Sequence, residues 1–332
     1  MTSTMTAWRV EELGHPSTSL ILRDDVTIPE PGPGQVRIKV EAGNINFADI
    51  LLCQGIYQDR PGVPLTPGLE SSGIVDAVGE GVDATIGIRV TGMSALPHGG
   101  YAEYALLRAP TIIPIPDGID GPTATVLHST FQTAHVGLHH RGGLQSGDWL
   151  LVHGASSGVG AAAVQLGRAA GARVIATASS EAKRAHCASL GADHVLDAGS
   201  DTLRDDIMSM TNGLGVNVAF DPVGGTVGDI TRRCMAWEGR LIVIGFASGE
   251  IPTYPGNHLL VKNYSVVGLY WGAYMELGGR EVVLAAHDDL VNKFRSGAIH
   301  ADISKIYDLS DIPDALRALE ERTVTGRLVL AI

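Results

Sequence analysis

Residues 153–160 (HGASSGVG) have the composition of a loop that binds phosphate. Glycine allows the backbone to turn tightly and approach a pyrophosphate, and the N-terminus of a following helix favours its negative charge. The spacing is G-x-x-x-G-x-G rather than G-x-G-x-x-G, so an ordinary strand–helix turn is the alternative interpretation. A strand before the loop, a helix after it and a second strand about 20 residues on favour the dinucleotide site. We therefore expect the cofactor at Ser156, Ser157, Gly158, Val159 and Gly160.

The residues that end the second strand indicate which dinucleotide is bound. A site selective for NAD usually has an acidic residue there, which binds the ribose 2′-hydroxyl. Here Ser179 and Ser180 occupy this place, and Lys183 and Arg184 follow within one helical turn. Hydroxyls can hydrogen-bond a 2′-phosphate and Lys183 can supply opposite charge, so the pattern favours NADPH over NADH. The alternatives are that Glu181 is the acid of an NAD site and that the two cations are a solvated helical turn.

The cysteines and histidines do not form a metal-binding pattern. Cys53, Cys187 and Cys234 are far apart in the sequence, whereas a zinc site needs clustered ligands. His135 and His139 have the i, i+4 spacing that places two side chains on one helix face. No third ligand is near them, so we interpret the pair as part of a polar helix face. The expectation is that the protein uses no zinc.

The elements around the phosphate loop predict an α/β domain. Short apolar runs suited to buried parallel strands alternate with helical segments. Repeated βαβ units imply a Rossmann-type doubly wound parallel sheet. The predicted strands are at 149–153, 173–177, 194–196, 216–220 and 241–244, and the predicted helices are at 158–170 and 181–190.

The regions on either side predict a second domain that is rich in β-strands. The tail is predicted to contain a helix at 280–294, a helix at 311–320 with Ser310 as its N-cap, and a closing strand at 327–330. Because these elements do not extend the βαβ series, we expect the tail to return to the first domain. The predicted domains are a discontinuous β-rich catalytic domain at 1–127 and 267–332, and a dinucleotide-binding domain at 128–266.

Composition and charge exclude several classes of partner. The chain has 36 acidic and 24 basic residues and a net charge of −12. This balance argues against a nucleic-acid partner, which requires a basic surface. The sequence predicts neither a membrane-spanning helix nor a secretory signal. With three scattered cysteines, the expectation is a cytoplasmic protein.

Motifs that cover almost the whole chain are those of one family. Residues 46–49 (NFAD) and 55–57 (GIY) are similar to N-F-x-D…G-x-Y, and residues 155–160 (ASSGVG) to A-x-x-G-V-G. Residues 67–70 (PGLE), 99–104 (GGYAEY) and 326–330 (GRLVL) are similar to P-G-x-E, G-x-Y-A-E-Y and G-K-x-V-L. The chain thus resembles the zinc-independent quinone oxidoreductases of the medium-chain dehydrogenase/reductase superfamily, which implies a GroES-like fold for the β-rich domain. Asn46 and Leu69 stand where the zinc-dependent alcohol dehydrogenases carry a cysteine and a histidine ligand.

The resemblance also implies roles for individual residues. Asn46 and Tyr57 would line the substrate pocket beside the nicotinamide as catalytic residues. The cofactor would also contact Thr130, Thr133, Lys183, Gly245, Phe246, Ala247 and Arg322. The alternatives are a turn position for Asn46, a packing role for Tyr57 and a surface helix terminus for Arg322.

The activity implied by the resemblance is hydride transfer from NADPH to a quinone. A quinone stores the incoming charge on its own oxygen, which hydrogen bonds from Asn46 or Tyr57 would stabilise. Leu51 and Leu269 stand where some relatives have a tyrosine and an arginine, which predicts a more apolar pocket. One alternative is an enoyl-thioester or enone reductase, in which Tyr57 would donate a proton. Another is a non-catalytic NADPH-binding protein. Family members are often homodimers joined through an edge strand, here near residues 264–269.

Overall fold

The computed structural model describes residues 3–332 and contains two compact units. The first unit consists of the residues up to Ser129 together with Ile303–Ile332, and the second unit is Thr130–Asp302. The sequence predicted that the first domain resumes at residue 267, whereas the first unit resumes at Ile303. The intervening residues belong to the second unit because they complete a strand of its sheet and supply a helix that packs on its helices.

Fifteen strands are found in the described residues, and each of the six predicted strands overlaps one of them. In chain order they are β1 (Thr4–Val10), β2 (Leu20–Thr27), β3 (Gln35–Ile45), β4 (Glu70–Val78), β5 (Arg89–Met93), β6 (Tyr104–Arg108), β7 (Ile113–Pro114), β8 (Trp149–Val152), β9 (Arg173–Ala178), β10 (His194–Asp197), β11 (Val216–Asp221), β12 (Met235–Val243), β13 (Ser265–Gly268), β14 (Ile303–Tyr307) and β15 (Arg327–Ala331).

The α-helices are mostly short. They are α1 (Pro16–Ser19), α2 (Phe47–Cys53), α3 (Gly121–Thr125), α4 (Gln132–His135), α5 (Gly158–Ala169), α6 (Glu181–Ser189), α7 (Leu203–Met210), α8 (Gly225–Arg233), α9 (Gly256–Lys262), α10 (Arg280–Arg295) and α11 (Ile312–Glu320). Two π-helical segments, Val126–Phe131 and Val136–Arg141, flank α4. None of the helices within residues 3–332 is long and apolar enough to cross a membrane.

The first unit is built on a seven-stranded sheet in the order β14-β15-β3-β4-β5-β7, with β6 also paired to β3. The alternating pattern of β3 buries Val36, Ile38 and Val40 in one apolar cluster, as a half-buried strand requires. The C-terminal strand β15 pairs antiparallel with β3. This pairing joins the end of the chain to its N-terminal part within one sheet.

The second unit contains a parallel six-stranded sheet in the order β10-β9-β8-β11-β12-β13. Numbered from β8, this is the order 3-2-1-4-5-6 of a doubly wound dinucleotide-binding fold. The predicted α/β fold class is therefore confirmed. Residues 153, 179 and 244 directly follow the ends of β8, β9 and β12. They therefore lie at the carboxyl edge of the sheet, where such folds bind their ligands.

The predicted start of the last helix is wrong. A 3-10 turn covers Leu309–Asp311, and α11 begins at Ile312 with Asp311 at the N-cap position. The hydroxyl of Ser310 donates to the Asp311 carboxylate at 3.1 Å instead of capping the helix. Pro313 occupies the first turn of α11, where its missing N–H costs nothing.

The two histidines interpreted as a polar helix face are instead partly buried against α10. His135 Nε2 lies 2.8 Å from the Asp289 carboxylate, which also accepts a hydrogen bond from Lys293. The ring of His139 packs 4.6 Å from that of His135, and its Nε2 has no hydrogen-bond partner within residues 3–332. Burial, with the positive charges of His135 and Lys293, lowers the pKa of His139 to about 4.

The lowered pKa of His139 predicts a loss of stability in mild acid. An unfolded histidine has a pKa of about 6.5, so the unfolded state binds more protons between about pH 6.5 and 4 and stability falls as the pH falls through this range. We expect the thermal midpoint to fall more steeply from pH 7 to pH 4.5 in the wild type than in His139→Leu. The exposed neighbour His140, changed to Leu, is the control and should keep the wild-type slope. Equal slopes in all three proteins would contradict the assignment.

Candidate functional site

The predicted phosphate loop joins β8 to α5 in the second unit. Gly154 has a φ of +55°, a conformation that favours glycine. A Cβ on Gly160 would lie 2.2 Å from the Gly154 carbonyl oxygen, so only glycine permits this close packing of loop and helix. Ser157 is the N-cap of α5 and its Oγ accepts from the Gly160 amide. The amides of Gly158 and Val159 begin the helix and have no acceptor within it. A helix terminus of this kind can bind a phosphate, and the buried Ser156 lies beside it in the loop.

A buried histidine, which sequence reasoning did not single out, supports this loop. His153 Nε2 lies 2.7 Å from Thr231 Oγ1, and Nδ1 lies 2.9 Å from Thr177 Oγ1. The Thr231 hydroxyl donates to the Val227 carbonyl, so it accepts from a proton on His153 Nε2. Burial lowers the pKa of His153 and favours this neutral form. The imidazole therefore connects the end of β8 with β9 and α8 at the start of the loop.

The end of β9 has the arrangement expected from the sequence. The strand ends at Ala178, so Ser179 occupies the place at which an NAD-selective acid would stand. Ser180 is the N-cap of α6, with its Oγ accepting from the Lys183 amide, and Glu181 lies beyond it as the first helical residue. Glu181 is therefore not at the strand end.

The two cations after β9 differ in their surroundings. Arg184 Nη1 lies 2.9 Å from the Asp197 carboxylate at the end of β10. This pair neutralises Arg184 locally. The partly buried Lys183 is on the first turn of α6, next to the exposed Ser179 and Ser180.

The other residues that the sequence predicted to contact the cofactor lie in three places. Gly245, Phe246 and Ala247 follow β12 at the carboxyl edge of the sheet, with the Ala247 amide bonded to the Pro222 carbonyl. Thr130 is buried in a π-helical segment and Thr133 is partly buried in α4. Arg322 belongs to the first unit, where it is exposed and follows α11 in a left-handed conformation. The structure thus brings the loop, Ser179 and residues 245–247 to one sheet edge, and it places Arg322 at a helix terminus.

Asn46 and Tyr57 lie on either side of α2 in the first unit. Asn46 immediately precedes the helix, whereas Tyr57 follows its end and packs against an apolar cluster that includes Leu69. The two residues therefore lie in the same unit at positions that α2 separates along the chain.

The side chain of Asn46 is held by an arginine from the end of the chain. Arg327 Nη2 donates to Asn46 Oδ1 at 2.6 Å. The Asn46 amide nitrogen, Nδ2, is buried and has no hydrogen-bond partner within residues 3–332. A buried donor without an acceptor is costly, and Nδ2 is therefore the best-supported point of contact for a substrate oxygen in this unit.

Asp49 fixes the backbone beneath Asn46. Its Oδ2 accepts from the Asn46 amide and from the Tyr101 hydroxyl, each at 2.8 Å, and its Oδ1 accepts from the Leu69 amide at 3.0 Å. Burial raises the pKa of Asp49 to about 6, although these three donors oppose the shift. Asp49 is thus a structural carboxylate rather than an exposed acid.

Glu70 is a second buried carboxylate of the same unit. Asn44 Nδ2 donates to its Oε2 at 2.8 Å, and the Ser129 hydroxyl donates to its Oε1 at 2.5 Å. Burial raises the pKa of Glu70, against the effects of both donors and the charge of Arg327. Asp49, Glu70 and Arg327 were all present in the family-like motifs, yet sequence reasoning gave them no role. Their membership of the motifs NFAD, PGLE and GRLVL was the available signal.

The donor set does not fit a zinc ion. The position of the superfamily's histidine ligand holds Leu69, an apolar side chain that is buried. Burial raises the pKa of the Cys53 thiol to about 12 and those of Cys187 and Cys234 to about 11, whereas zinc binds thiolates. Across residues 3–332, no three or more His, Cys, Asp or Glu side chains are grouped so that they could hold a metal ion.

Two family models match the chain. Residues 32–117 match the alcohol dehydrogenase GroES-like domain, and residues 158–286 match the family described as zinc-binding dehydrogenase. The first match lies in the first unit and the second match in the second unit.

Individual relatives are similar over nearly the full length. The quinone oxidoreductase-like protein 2 homolog of Nematostella vectensis is 37% identical over 322 residues, which are 96% of this chain and 87% of that protein. The structure of mycobacterial Rv1454c complexed with NADPH has a TM-score of 0.90 and 30% identity, covering 99% of this chain and 100% of that one. The CurK enoyl reductase has a TM-score of 0.84 and 26% identity, covering 99% of each chain.

Proposed function

Because this chain belongs to the quinone oxidoreductase family of the medium-chain dehydrogenase/reductase superfamily, we propose that it is a zinc-independent NADPH:quinone oxidoreductase. The observation that carries this proposal is the unpaired, buried Nδ2 donor of Asn46, at the position where zinc-dependent relatives have a metal ligand. A neutral donor can stabilise negative charge on an oxygen that is itself part of a conjugated acceptor. The similarity to quinone oxidoreductase-like proteins supports the same assignment.

The second unit would hold NADPH through groups that its fold has already oriented. The amides of Gly158 and Val159 at the start of α5 would bind the pyrophosphate. Ser179 and Lys183 would bind the 2′-phosphate, and residues 245–247 would contact the carboxamide end. Thr130 and Thr133 would contact the nicotinamide side, and Arg322 would approach the cofactor from the tail. When bound, NADPH supplies the hydride.

The first unit would act on the acceptor. Asn46 Nδ2 would donate a hydrogen bond to the quinone oxygen that gains negative charge as the hydride arrives. Removal of one such donor typically lowers kcat by about 10²–10³. The reduced quinone then takes up a proton and leaves as the hydroquinone. No metal is required because the acceptor delocalises the charge over its own ring.

The second candidate function is reduction of an enone or an enoyl thioester. It is favoured by the structural similarity to the CurK enoyl reductase and by the presence of Tyr57 as a group that could donate a proton. Here hydride adds to the β-carbon, and the α-carbon must receive a proton. The two functions thus differ in their need for a proton donor.

A screen of NADPH oxidation separates these functions. We expect a higher kcat/KM with a small quinone than with a 2-enoyl thioester or an enone, and no effect of a zinc chelator. Tyr57→Phe should lower the rate with the quinone by less than about threefold, because Tyr57 would only line the pocket, whereas loss of a general acid costs about 10²–10⁴-fold. A higher kcat/KM with the thioester, together with a large effect of Tyr57→Phe on it, would move the assignment to the second candidate. NADPH binding without turnover of any acceptor would indicate a non-catalytic NADPH-binding protein.

The choice of cofactor can be tested at Lys183. A hydrogen bond to a charged group contributes about 1.5–3 kcal/mol, which is roughly a ten- to a hundredfold change in affinity. Lys183→Ala should raise the KM for NADPH by about this factor and leave that for NADH nearly unchanged. The preference for NADPH should also decrease at high salt because salt screens exposed charges.

Arg184→Ala is the matched control for this test. Since Arg184 is paired with Asp197, its removal should change the KM for NADPH much less than the removal of Lys183. Equal weakening of NADPH and NADH by Lys183→Ala would show that Lys183 does not recognise the 2′-phosphate.

The proposed quaternary state is a homodimer joined through β13. This strand ends the six-stranded sheet, and edge strands with unpaired backbone groups readily pair with another chain. The preceding α9 exposes two large apolar side chains, Leu260 at 80% and Val261 at 75%. A two-fold contact through this edge would cover both features.

Light scattering after size exclusion should give about twice the chain mass of 34.8 kDa. Changing both Leu260 and Val261 to Lys should shift the protein towards the monomer at micromolar concentration. Leu214→Lys, at an exposed apolar residue outside this edge, should leave the mass unchanged. A monomeric wild type would refute this interface.

A further inference from the structure

The contact between Arg327 and Asn46 fixes the orientation of the asparagine amide. A guanidinium group has only hydrogen-bond donors, whereas a side-chain amide has an acceptor oxygen and a donor nitrogen. Arg327 Nη2 is 2.6 Å from Oδ1, and a flipped amide would direct two donors at each other. The arginine therefore selects the orientation in which Nδ2 points away from it.

The rest of Asn46 is also held in place. Its backbone amide donates to Asp49 Oδ2, and Asp49 is itself fixed by Tyr101 and Leu69. Asn46 therefore has its backbone amide and its amide oxygen occupied, and only Nδ2, which is buried, has no partner within the described chain. This combination is typical of a donor that is oriented before its ligand arrives.

Arg327 is suited to this task because it remains a cation. Burial lowers the pKa of Arg327, but the charges of Glu70 and Asp49 act in the opposite direction, and arginine is not deprotonated in proteins. A donor that stays charged gives a stronger hydrogen bond to Oδ1 than a neutral donor would.

We propose that Arg327 is a positioning residue, which holds the Asn46 amide so that Nδ2 donates to the carbonyl oxygen of the acceptor. The inference deepens the proposed function, since it names the group that orients the substrate-binding donor. It applies equally to a quinone and to an enone, because both present a carbonyl oxygen. Arg327 acts on the reaction only through Asn46.

A double-mutant cycle tests this dependence. The four proteins are the wild type, Arg327→Gln, Asn46→Ala and the double variant, assayed with whichever quinone or enone the wild type reduces faster. Gln can donate or accept, so it permits both orientations of the Asn46 amide. We expect Asn46→Ala to lower kcat by about 10²-fold and Arg327→Gln by about tenfold, mainly in kcat rather than in the KM for NADPH. In the Asn46→Ala background, Arg327→Gln should change kcat by less than about twofold, because coupled residues are not additive.

The controls separate positioning from a structural role. Arg327→Lys keeps a donor-only cation and should recover most of the kcat lost in Arg327→Gln. Arg317→Gln, at an exposed arginine on α11, should match the wild type. If Arg327 only neutralises Asp49 and Glu70, Arg327→Gln will lower kcat by the same factor with and without Asn46, and the proposal is overturned.

A spectroscopic readout keeps the inference independent of turnover. With ¹⁵N-labelled asparagine, the side-chain signal missing from Asn46→Ala identifies Asn46. We expect duroquinone or an enone to shift this signal in the wild type and not in Arg327→Gln. This result would support the positioning role even if the acceptor screen found no turnover. A signal that neither acceptor shifts in the wild type would overturn the role of Asn46 as the donor, and with it that of Arg327.

Discussion

The first unit depends on hydrogen-bond donors and an opposite charge for two buried carboxylates. A carboxylate removed from water is very costly unless it is neutralised and hydrogen-bonded. Asp49 and Glu70 meet this requirement with donors from distant parts of the chain: Tyr101, Asn44, Ser129 and the Leu69 amide. The positive charge comes from Arg327, near the C-terminus. The closing strand β15 thus supplies a cation that acts on carboxylates of the N-terminal part.

The same cluster connects stability with the proposed chemistry. The positive charge of Arg327 interacts with the buried carboxylates, and its guanidinium group donates a hydrogen bond to Asn46. The carboxylates favour the charged form of the guanidinium, and the guanidinium orients the amide. A neutral donor held in this way can stabilise a developing oxyanion without reorganising during the reaction. In the proposed function, this hydrogen-bond donor would replace the Lewis acid that the zinc-dependent relatives use at the same position.

In the second unit, the main constraint is the backbone geometry of the predicted phosphate loop. Gly160 allows the loop to pack against the first turn of α5 at a distance that a Cβ would prevent, and Gly154 adopts a left-handed backbone conformation that favours glycine. His153 stabilises the loop through hydrogen bonds with the hydroxyls of Thr177 in β9 and Thr231 in α8. At the adjacent strand end, the ion pair of Arg184 with Asp197 leaves recognition of a 2′-phosphate to Ser179 and Lys183 in the proposed function. In the proposed function, selectivity for NADPH depends on the hydroxyl of Ser179 and the charge of Lys183 at this strand end.

The sequence by itself determined the features that depend on neighbouring residues. The phosphate loop, the strand and helix alternation and the strand end at Ser179 are local patterns, and the structure has them close to the predicted residues. Residues 46–49, 67–70 and 326–330 were recognisable as motifs, but the contacts among them join positions up to 281 residues apart. No spacing rule relates such positions, so only the tertiary structure decided that Arg327 meets Asn46.

The tertiary structure likewise decided where residues 267–302 belong, because strand pairing and helix packing are not encoded in the local pattern. It also decided that His135 and His139 are partly buried against α10 rather than part of an exposed polar face. Helical spacing shows which residues share a face but not what covers that face. The tertiary structure also placed the start of α11 at Ile312 with Asp311 as its N-cap, because a 3-10 turn covers the residues around the predicted cap Ser310. Local motifs can be predicted from the order of the residues, whereas the packing of the whole unit determines the hydrogen-bond partner of each buried polar group.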